Sequence, residues 1–219
     1  MSEINPAFQF MKSRYEHLRD KHSFMPTSIL DVGACKGQWA TIVKEVWPEA
    51  HMCLVDGDPR VKDELLTNFP DNELYFNVLD SNEGMKTFYI RDSEDPYTWG
   101  SSSLRMENTQ YFKENYKEVQ VSTETLHSLF GLRLFDLIKI DAQGSELDIL
   151  AGGPWITTGA KYIQLECSLI YYNEKNPLLH TIIAEMFKYG FIVQDILQLH
   201  YWESNDCIQL DFLFKNVRT

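Results

Sequence analysis

Two glycines and an aspartate mark the junction of a predicted strand and a predicted helix, in the segment Asp31-Val-Gly33-Ala34-Cys-Lys-Gly37. Glycine permits a tight turn and lets the backbone approach a ligand closely. The G-x-x-x-G spacing differs from the G-x-G-x-x-G of dinucleotide folds, in which a pyrophosphate rests on the helix N-terminus. An acid in this loop would repel a pyrophosphate, and it suits a cationic ligand such as a sulfonium that carries an ammonium group. A plain strand–helix turn is the alternative interpretation.

Acidic residues also follow the second and third predicted strands. Asp56 comes directly after the second strand, where a carboxylate can accept hydrogen bonds from both hydroxyls of a ribose. Asp58 precedes a proline and fits the N-cap of a helix. Asp80 and Ser81 follow the third strand, where Asp80 could accept a hydrogen bond from an adenine amino group. An aspartate in an ordinary turn is an equal alternative.

Charged side chains gather at the ends of the fourth and fifth predicted core strands. Lys139 and Asp141 share one face of their strand, and a buried lysine needs a partner, for which Asp141 or Glu146 is available. Such groups also mark functional sites. Glu166 follows an apolar run, so burial should raise its pKa. It could act as a general base, bind a divalent ion such as Mg²⁺ together with Asp141, or accept N–H groups from a neighbouring loop.

Aromatic and polar residues near the same strand ends are candidates for contact with a substrate. The candidates are Gln143, Glu146, Tyr172, His200 and Trp202. His200 could be a base or a substrate contact, although a lone histidine is more often neither. Together with Trp99 and Tyr171, which are also predicted in loops, the aromatic residues fit a pocket that stacks rings or sugars. The alternative is that they close a core or a dimer face.

The elements that must position these residues alternate between strands and helices. Apolar runs predict strands at residues 28–32, 51–55, 74–79, 86–90, 119–122, 136–140, 162–166, 191–199 and 208–214. Helical spacing and turn residues predict helices at 8–21, 38–46, 60–69, 124–130, 145–150 and 178–189, and a loop at 92–103. Alternation of this kind implies a mostly parallel sheet with helices on both faces. The last two strands, joined by a short turn, must be antiparallel to each other.

Length and composition limit the classes of protein that remain. The 219 residues suit one domain, 1–219, with residues 1–27 as an N-terminal helical extension. The net charge of −12 disfavours nucleic acid and anionic membranes as partners. The four cysteines form no C-x-x-C pair, and we expect neither an export signal nor a membrane span, so a cytoplasmic location is predicted. The oligomeric state is open, and a homodimer is compatible with the sequence.

From about residue 28 to residue 214 the chain resembles the FkbM family of class I methyltransferases. The resemblance is carried by Asp31-Val-Gly-Ala with Gly37, by Asp56 and Pro59, by Gly100-Ser-Ser-Ser-Leu104, by Lys139-Ile-Asp141-Ala-Gln143-Gly144-Ser-Glu146, by Ile163-Gln-Leu-Glu166, and by Gln209-Leu-Asp211-Phe-Leu-Phe214. Most family members have Glu where this chain has Gln143. That difference leaves Asp141, Glu146 and Glu166 as the carboxylates to test.

The resemblance implies a Rossmann-like sheet of seven strands whose last strand is antiparallel. It also implies S-adenosylmethionine as cofactor and, usually, O-methylation of a hydroxyl on a sugar or small natural product. Ser101 would then lie near the adenine, in the 100–104 loop. We expect Asp141 or Glu166 to take the proton of the hydroxyl, with Lys139 fixing the geometry. The alternatives are an S-adenosylmethionine-binding module without turnover and a nicotinamide-dependent oxidoreductase.

Overall fold

The computed structural model describes residues 6–93, 96–202 and 204–218. Its helices are α1 (Pro6–His22), α2 (Gln38–Val46), α3 (Lys62–Asn68), α4 (Gln110–Glu114), α5 (Leu126–Phe130), α6 (Glu146–Ala151), α7 (Pro154–Gly159) and α8 (Leu179–Tyr189). Its strands are β1 (Ser28–Val32), β2 (His51–Val55), β3 (Glu73–Tyr75), β4 (Val78–Leu79), β5 (Gly84–Arg91), β6 (Tyr116–Glu124), β7 (Leu137–Ile140), β8 (Tyr162–Ser168), β9 (Phe191–Tyr201) and β10 (Cys207–Asn216).

Seven strands form the main sheet, in the order β3-β2-β1-β7-β8-β10-β9. Neighbouring strands from β3 to β8 are parallel, and β10 runs antiparallel to both β8 and β9. The predicted fold, a mostly parallel seven-stranded sheet with an antiparallel last strand, is therefore confirmed. Because the parallel strands all end at one edge, the loops after β1, β2, β7 and β8 meet there.

Helices cover both faces of the main sheet, as the pattern predicted. Alternate residues of β1 illustrate the division, since Leu30 and Ile29 are both buried but on opposite faces. One face packs against α5 to α8, through residues that include Leu126, Phe130, Leu150, Ile156, Ile182 and Met186. The other packs against α1 to α3, through residues that include Met11, Tyr15, Leu18, Trp39, Val43 and Leu65.

The predicted third strand, 74–79, is divided between two sheets. β3 belongs to the main sheet, whereas β4 pairs with β6 in a three-stranded sheet of order β4-β6-β5. Asn77 lies at the division, and its side-chain amide donates a hydrogen bond of 2.9 Å to Glu124 at the end of β6. This contact accompanies the backbone pairing of Val78 and Leu79 with the end of β6, which places β4 in the smaller sheet.

Several predicted boundaries also move. β9 continues to Tyr201, so His200 lies in a strand and not in a turn. The predicted helix 60–69 begins with a 3₁₀ turn, and the predicted helix 124–130 begins at Leu126 because Thr125 caps it by accepting a hydrogen bond from the Ser128 amide. The predicted loop contains another 3₁₀ turn, Pro96–Ser101, while residues 94–95 and the first five residues of the N-terminal extension lie outside the described residues.

None of the helices in the described part of the chain combines the length and the apolar character that a membrane span requires.

Candidate functional site

An open cleft of about 630 Å³ lies at the carboxyl edge of the main sheet. One wall consists of the loops that follow β1, β2 and β7, together with the start of α6. The other wall consists of β4, β5 and the segment 99–104. The cleft is lined by Val32, Gly33, Cys35, Val55, Asp56, Gly57, Asn77, Val78, Leu79, Phe88, Trp99, Gly100, Ser102, Ser103, Leu104, Asp141, Ala142, Ser145 and Ile149.

The loop after β1 is shaped by glycine, as the spacing predicted. Gly33 has a φ of +72°, and a Cβ at this position would overlap the backbone carbonyl of Asp141. Gly37 has a φ of +81°, and a Cβ there would overlap the ring of Phe69. The amides of Gly33 and Ala34 both donate to the carbonyl of Val55. Gly33 therefore lines the cleft, whereas Ala34 and Gly37 hold the loop in position.

Asp56 lies in the cleft wall at the end of β2. Its two oxygens accept hydrogen bonds from the amides of Cys35, at 2.7 Å, and Asp58, at 2.8 Å, so the carboxylate is held rigidly. Burial raises the pKa of Asp56 to about 6, against the lowering effect of these amides. Asp58 caps the following 3₁₀ turn, as predicted, and accepts a further hydrogen bond of 2.7 Å from Ser102. This last contact joins β2 to the opposite wall.

The remaining residues proposed for the adenine lie elsewhere. Asp80 is 2% exposed and pairs with Lys86 of β5, outside the cleft, while Ser81 donates its amide to the Asp80 carboxylate. The prediction placed both residues at the end of a third strand of the main sheet. They instead come after β4, which belongs to the smaller sheet, and neither lines the cleft. Ser101 also lies outside the lining, although its neighbours Gly100 and Ser102 are part of it.

Sequence reasoning missed Asn77 and Phe88. It also assigned Trp99 to the substrate pocket, although this residue lines the cleft beside the 100–104 loop that was expected near the adenine. The guanidinium of Arg60 and the ammonium of Lys36 each lie 5.0 Å from the centre of the Trp99 ring. The missed residues depend on the smaller sheet. Its strands 86–90 and 119–122 were predicted, but their pairing into a separate sheet was not.

Lys139 and Asp31 form a buried ion pair beneath the loop after β1. Asp31 is 0% exposed, and its carboxylate lies 3.1 Å from the Lys139 ammonium, which also donates 2.7 Å to the carbonyl of Gly33. The predicted partner Asp141 is farther away, at 3.8 Å, and Glu146 is not a partner. Burial acts to lower the pKa of Lys139, but the charges of Asp31 and Asp141 raise it. Asp31 faces α1 and α2, so it supports the cleft through Lys139 and does not line it.

Glu146 and Gln143 organise the loop after β7. Glu146 is buried and accepts hydrogen bonds from the amides of Ala142, at 3.1 Å, and Gly144, at 2.9 Å. Its burial raises its pKa to about 7. Gln143 donates 3.0 Å hydrogen bonds from one amide nitrogen to both Asp141 and Glu166. Glu146, which was predicted to meet substrate, is thus enclosed by its own loop.

Glu166 is enclosed behind Asp141. It is 8% exposed, and one oxygen accepts hydrogen bonds from the side chains of Gln143, at 3.0 Å, and Gln209, at 2.8 Å. Burial, followed by the charges of Asp141 and Asp211, raises the pKa of Glu166 well above its ordinary range. The direction of this shift is the one expected from the sequence.

The remaining substrate candidates lie beyond Glu166, at the ends of β8, β9 and β10. Tyr172 is partly buried, and burial and the neighbouring Glu107 raise its pKa. The imidazole of His200 lies 2.8 Å from the carboxylate of Asp211. Trp202 is 47% exposed and lines a second open cleft with Asn108, Thr109, Gln110 and Ser204.

The possible magnesium site finds no support in the geometry. Among the residues that the structure describes, the only three ligand groups close enough together to share an ion are His51, Cys53 and Glu73. They lie at the opposite edge of the sheet, where Arg133 already donates 2.9 Å hydrogen bonds to both oxygens of Glu73. Asp141 and Glu166 belong to no such group, and the amide of Gln143 lies between them.

The first cleft fits S-adenosylmethionine. The backbone at Gly33 lines the cleft without a side chain, Asp56 offers a fixed carboxylate to a ribose, and Leu79, Phe88 and Ile149 supply apolar surface for a base. Asp141 lines the same cleft and offers negative charge to a sulfonium and an ammonium. Gly33 and Asp56 would hold the nucleoside part, and Asp141 would face the charged end.

Such a fold and cleft define a class I S-adenosylmethionine-dependent methyltransferase. A methyltransferase from Clostridium acetobutylicum has the same fold, with a TM-score of 0.55, 10% identity and coverage of 98% of this chain and 93% of the other. The N-methyltransferase NodS from Bradyrhizobium japonicum, in complex with S-adenosylhomocysteine, gives a TM-score of 0.52, 10% identity and coverage of 98% and 90%. The family model described as "Methyltransferase FkbM domain" matches residues 31–193. The chain therefore belongs to the FkbM methyltransferase family.

Among curated relatives, the 2-O-methyltransferase NoeI of Sinorhizobium fredii is 29% identical over 153 residues. The match covers 64% of this chain and 63% of that protein, so the chain spans less than two thirds of its relative's length.

Affinity for S-adenosylhomocysteine should fall as the pH is lowered through about 6, the pKa of Asp56. Protonation removes an ionised acceptor from the ribose, and hydrogen bonds to charged groups contribute about 1.5–3 kcal/mol, or roughly 10- to 100-fold in affinity. Isothermal titration calorimetry across this range measures the effect. An Asp56→Asn variant should bind weakly and lose this pH step. Its loss assigns the step to Asp56 and not to Glu146, whose pKa is about 7. An unchanged pH step in the variant would contradict the assignment.

Proposed function

We propose that this methyltransferase transfers its methyl group to a hydroxyl of a carbohydrate or another small polyhydroxylated acceptor. The observation that carries the proposal is a row of groups that can accept a proton, which begins in the cleft and continues beyond it. Asp141 lines the cleft, Glu166 shares the Gln143 amide with Asp141, and His200 lies farther along the sheet on Asp211. A hydroxyl must lose its proton as it attacks, so an O-methyltransferase needs such groups beside the methyl donor. S-adenosylmethionine supplies an electrophilic methyl group on a sulfonium.

Each charged residue has a proposed role in this reaction. Asp141 lines the cleft and offers negative charge to the cationic end of the cofactor. Lys139, which pairs with the buried Asp31, holds the Gly33 carbonyl and so fixes the loop on which the cofactor lies. Glu166 anchors the amides of Gln143 and Gln209 and keeps the acceptor end in one arrangement. The proton of the hydroxyl passes to a carboxylate or to the imidazole.

The second cleft supports a sugar as acceptor. Its exposed indole, Trp202, offers an aromatic face, and its amide and hydroxyl side chains can bond to several hydroxyls at once. This surface adjoins the acceptor end, because the backbone amide of Asn108 donates a 2.7 Å hydrogen bond to the carbonyl of Tyr172. A net charge of −12 also favours a neutral acceptor over nucleic acid. The name of the relative NoeI, a 2-O-methyltransferase, agrees with methylation of an oxygen.

Incubation with S-adenosylmethionine and two panels of acceptors, one of glycosides and oligosaccharides and one of amines, tests the proposal. Mass spectrometry should detect methyl ethers from the first panel and no methylated amines from the second. Methylation of amines alone would overturn O-methylation. Tight binding of S-adenosylhomocysteine without turnover on either panel would instead identify a cofactor-binding module, and preferential stabilisation by NAD would favour an oxidoreductase.

A further inference from the structure

A chain of buried hydrogen bonds crosses the main sheet from α2 to β9. The indole nitrogen of Trp39 donates 2.9 Å to the side-chain oxygen of Gln164, and the hydroxyl of Tyr15 donates to the same oxygen. The amide nitrogen of Gln164 donates 2.9 Å to one oxygen of Asp211. The other Asp211 oxygen lies 2.8 Å from Nε2 of His200. Except for His200, which is partly exposed, these residues are all buried.

The direction of this chain is fixed by the indole, which can only donate. Because Trp39 must donate, Gln164 presents its oxygen to Trp39 and its nitrogen to Asp211. Asp211, which receives that N–H, then accepts at its second oxygen as well. The neutral His200 imidazole must therefore carry its proton on Nε2, and Nδ1 is left with a lone pair.

Strand pairing puts His200 at the acceptor end of the site. His200 of β9 pairs with Gln209 of β10, and Gln209 pairs with Ser168 at the end of β8. The His200 side chain is 31% exposed, and within the described ranges no residue forms a hydrogen bond with its Nδ1. This nitrogen is therefore available to a molecule bound beside Glu166 and Gln209.

We propose that His200 takes the proton of the acceptor hydroxyl at Nδ1, with Asp211 as the residue that positions it. The proposal rests on the proposed O-methylation. As the acceptor oxygen forms its bond to the methyl carbon, the carbon–sulfur bond breaks and its electron pair stays on sulfur. The hydroxyl proton moves to Nδ1, and the resulting imidazolium is paired with Asp211.

The electrostatic surroundings make His200 better suited to accept this proton than Glu166 or Asp141. Burial acts to lower its pKa, but the hydrogen bond and charge of Asp211 on β10, and the charge of Asp141 after β7, raise it above the ordinary value. Glu166, by contrast, is almost fully enclosed and already accepts two amide hydrogen bonds. Asp141 lies beside Lys139 and faces the cationic end of the cofactor.

Nuclear magnetic resonance of ¹⁵N-labelled histidine tests the assignment without any acceptor. In the complex with S-adenosylhomocysteine, neutral His200 should have the Nε2–H tautomer and a pKa above its usual 6.5. Asp211→Asn should lower that pKa, whereas the signals of the exposed His180 should be the same in both proteins. A neutral His200 protonated at Nδ1, or a pKa that does not respond to Asp211→Asn, overturns the proposal.

Kinetics on a hydroxylated acceptor from the panel above supply the second test. His200→Gln should lower kcat by roughly 10²- to 10⁴-fold and remove the rise of kcat with pH, with little change in affinity for S-adenosylhomocysteine. Added imidazole should partly restore His200→Ala, and His180→Gln should behave as wild type. Glu166→Gln and Asp141→Asn should keep the pH-dependent rise.

The outcomes separate the two proposals. Full activity of His200→Gln, or loss of the rise of kcat with pH in Glu166→Gln or Asp141→Asn instead, overturns the assignment of His200 while O-methylation stands. If the wild-type protein methylates no hydroxyl, O-methylation fails and the role of His200 fails with it.

Discussion

Lys139→Met should lower the free energy of unfolding by about 3–5 kcal/mol, because it leaves the fully buried carboxylate of Asp31 without its cation. Burial already raises the pKa of Asp31, and removal of the ammonium would raise it further. The folded variant then binds a proton more readily than the unfolded chain, so its loss of stability should shrink as the pH falls. Urea denaturation at several pH values measures both effects.

An exposed ion pair provides the matched control. Lys161 lies 2.8 Å from Asp136 but is 54% exposed, so Lys161→Met should cost only about 0–1 kcal/mol. Adding Asp31→Asn to Lys139→Met should recover part of the loss, since the uncompensated charge is removed. If Lys139→Met and Lys161→Met cost the same, the buried pair does not stabilise the fold.

Gly33→Ala should weaken binding of S-adenosylhomocysteine by on the order of 100-fold, equivalent to about 3 kcal/mol. The added Cβ would overlap the carbonyl of Asp141, and a positive φ costs a non-glycine residue about 1–3 kcal/mol. Relief of this overlap must separate the loop after β1 from the loop after β7, and both loops belong to the same wall of the cleft. Calorimetric titration measures the loss of affinity, and thermal unfolding measures the loss of stability.

Gly131 provides a control that distinguishes the effect of backbone strain from the effect of steric overlap. Its φ is +60°, but a Cβ there would meet no atom within 4 Å. Gly131→Ala should therefore lower stability by about 1–3 kcal/mol and leave the affinity for S-adenosylhomocysteine unchanged. Normal affinity in Gly33→Ala would show that the close approach to Asp141 does not shape the cofactor site.

The parts of the site that follow strands of the main sheet were predictable from sequence. A parallel strand that ends in an acid puts that acid at a known edge, so Asp56 and Asp141 could be assigned before any coordinates were known. The position of Gly33 could be predicted because a tight turn after a strand favours glycine. The antiparallel last strand followed from the shortness of the turn before it.

Other parts depend on long-range pairing that one sequence does not specify. The predicted strand 74–79 divides where Val78 and Leu79 pair with the end of β6, far along the chain, and the amide of Asp80 follows them by donating to the carbonyl of Glu124. Gln164 and Asp211 interrupt apolar strands, where a polar residue gives no indication of its partner. Their importance becomes visible only when the folded chain brings Gln164 against Trp39 and Asp211 against His200.

The division of the predicted third strand has a mechanical consequence. The cofactor cleft is a seam between two sheets, since β1, β2 and β7 end on one side of it and β4 and β5 lie on the other. The hydrogen bond from Ser102 to Asp58 is one tie across the seam. Arg60, after β2, also donates a 2.8 Å hydrogen bond to the carbonyl of Arg91 at the end of β5. A nucleoside held between Asp56 and Leu79 would add a further connection between the two sheets.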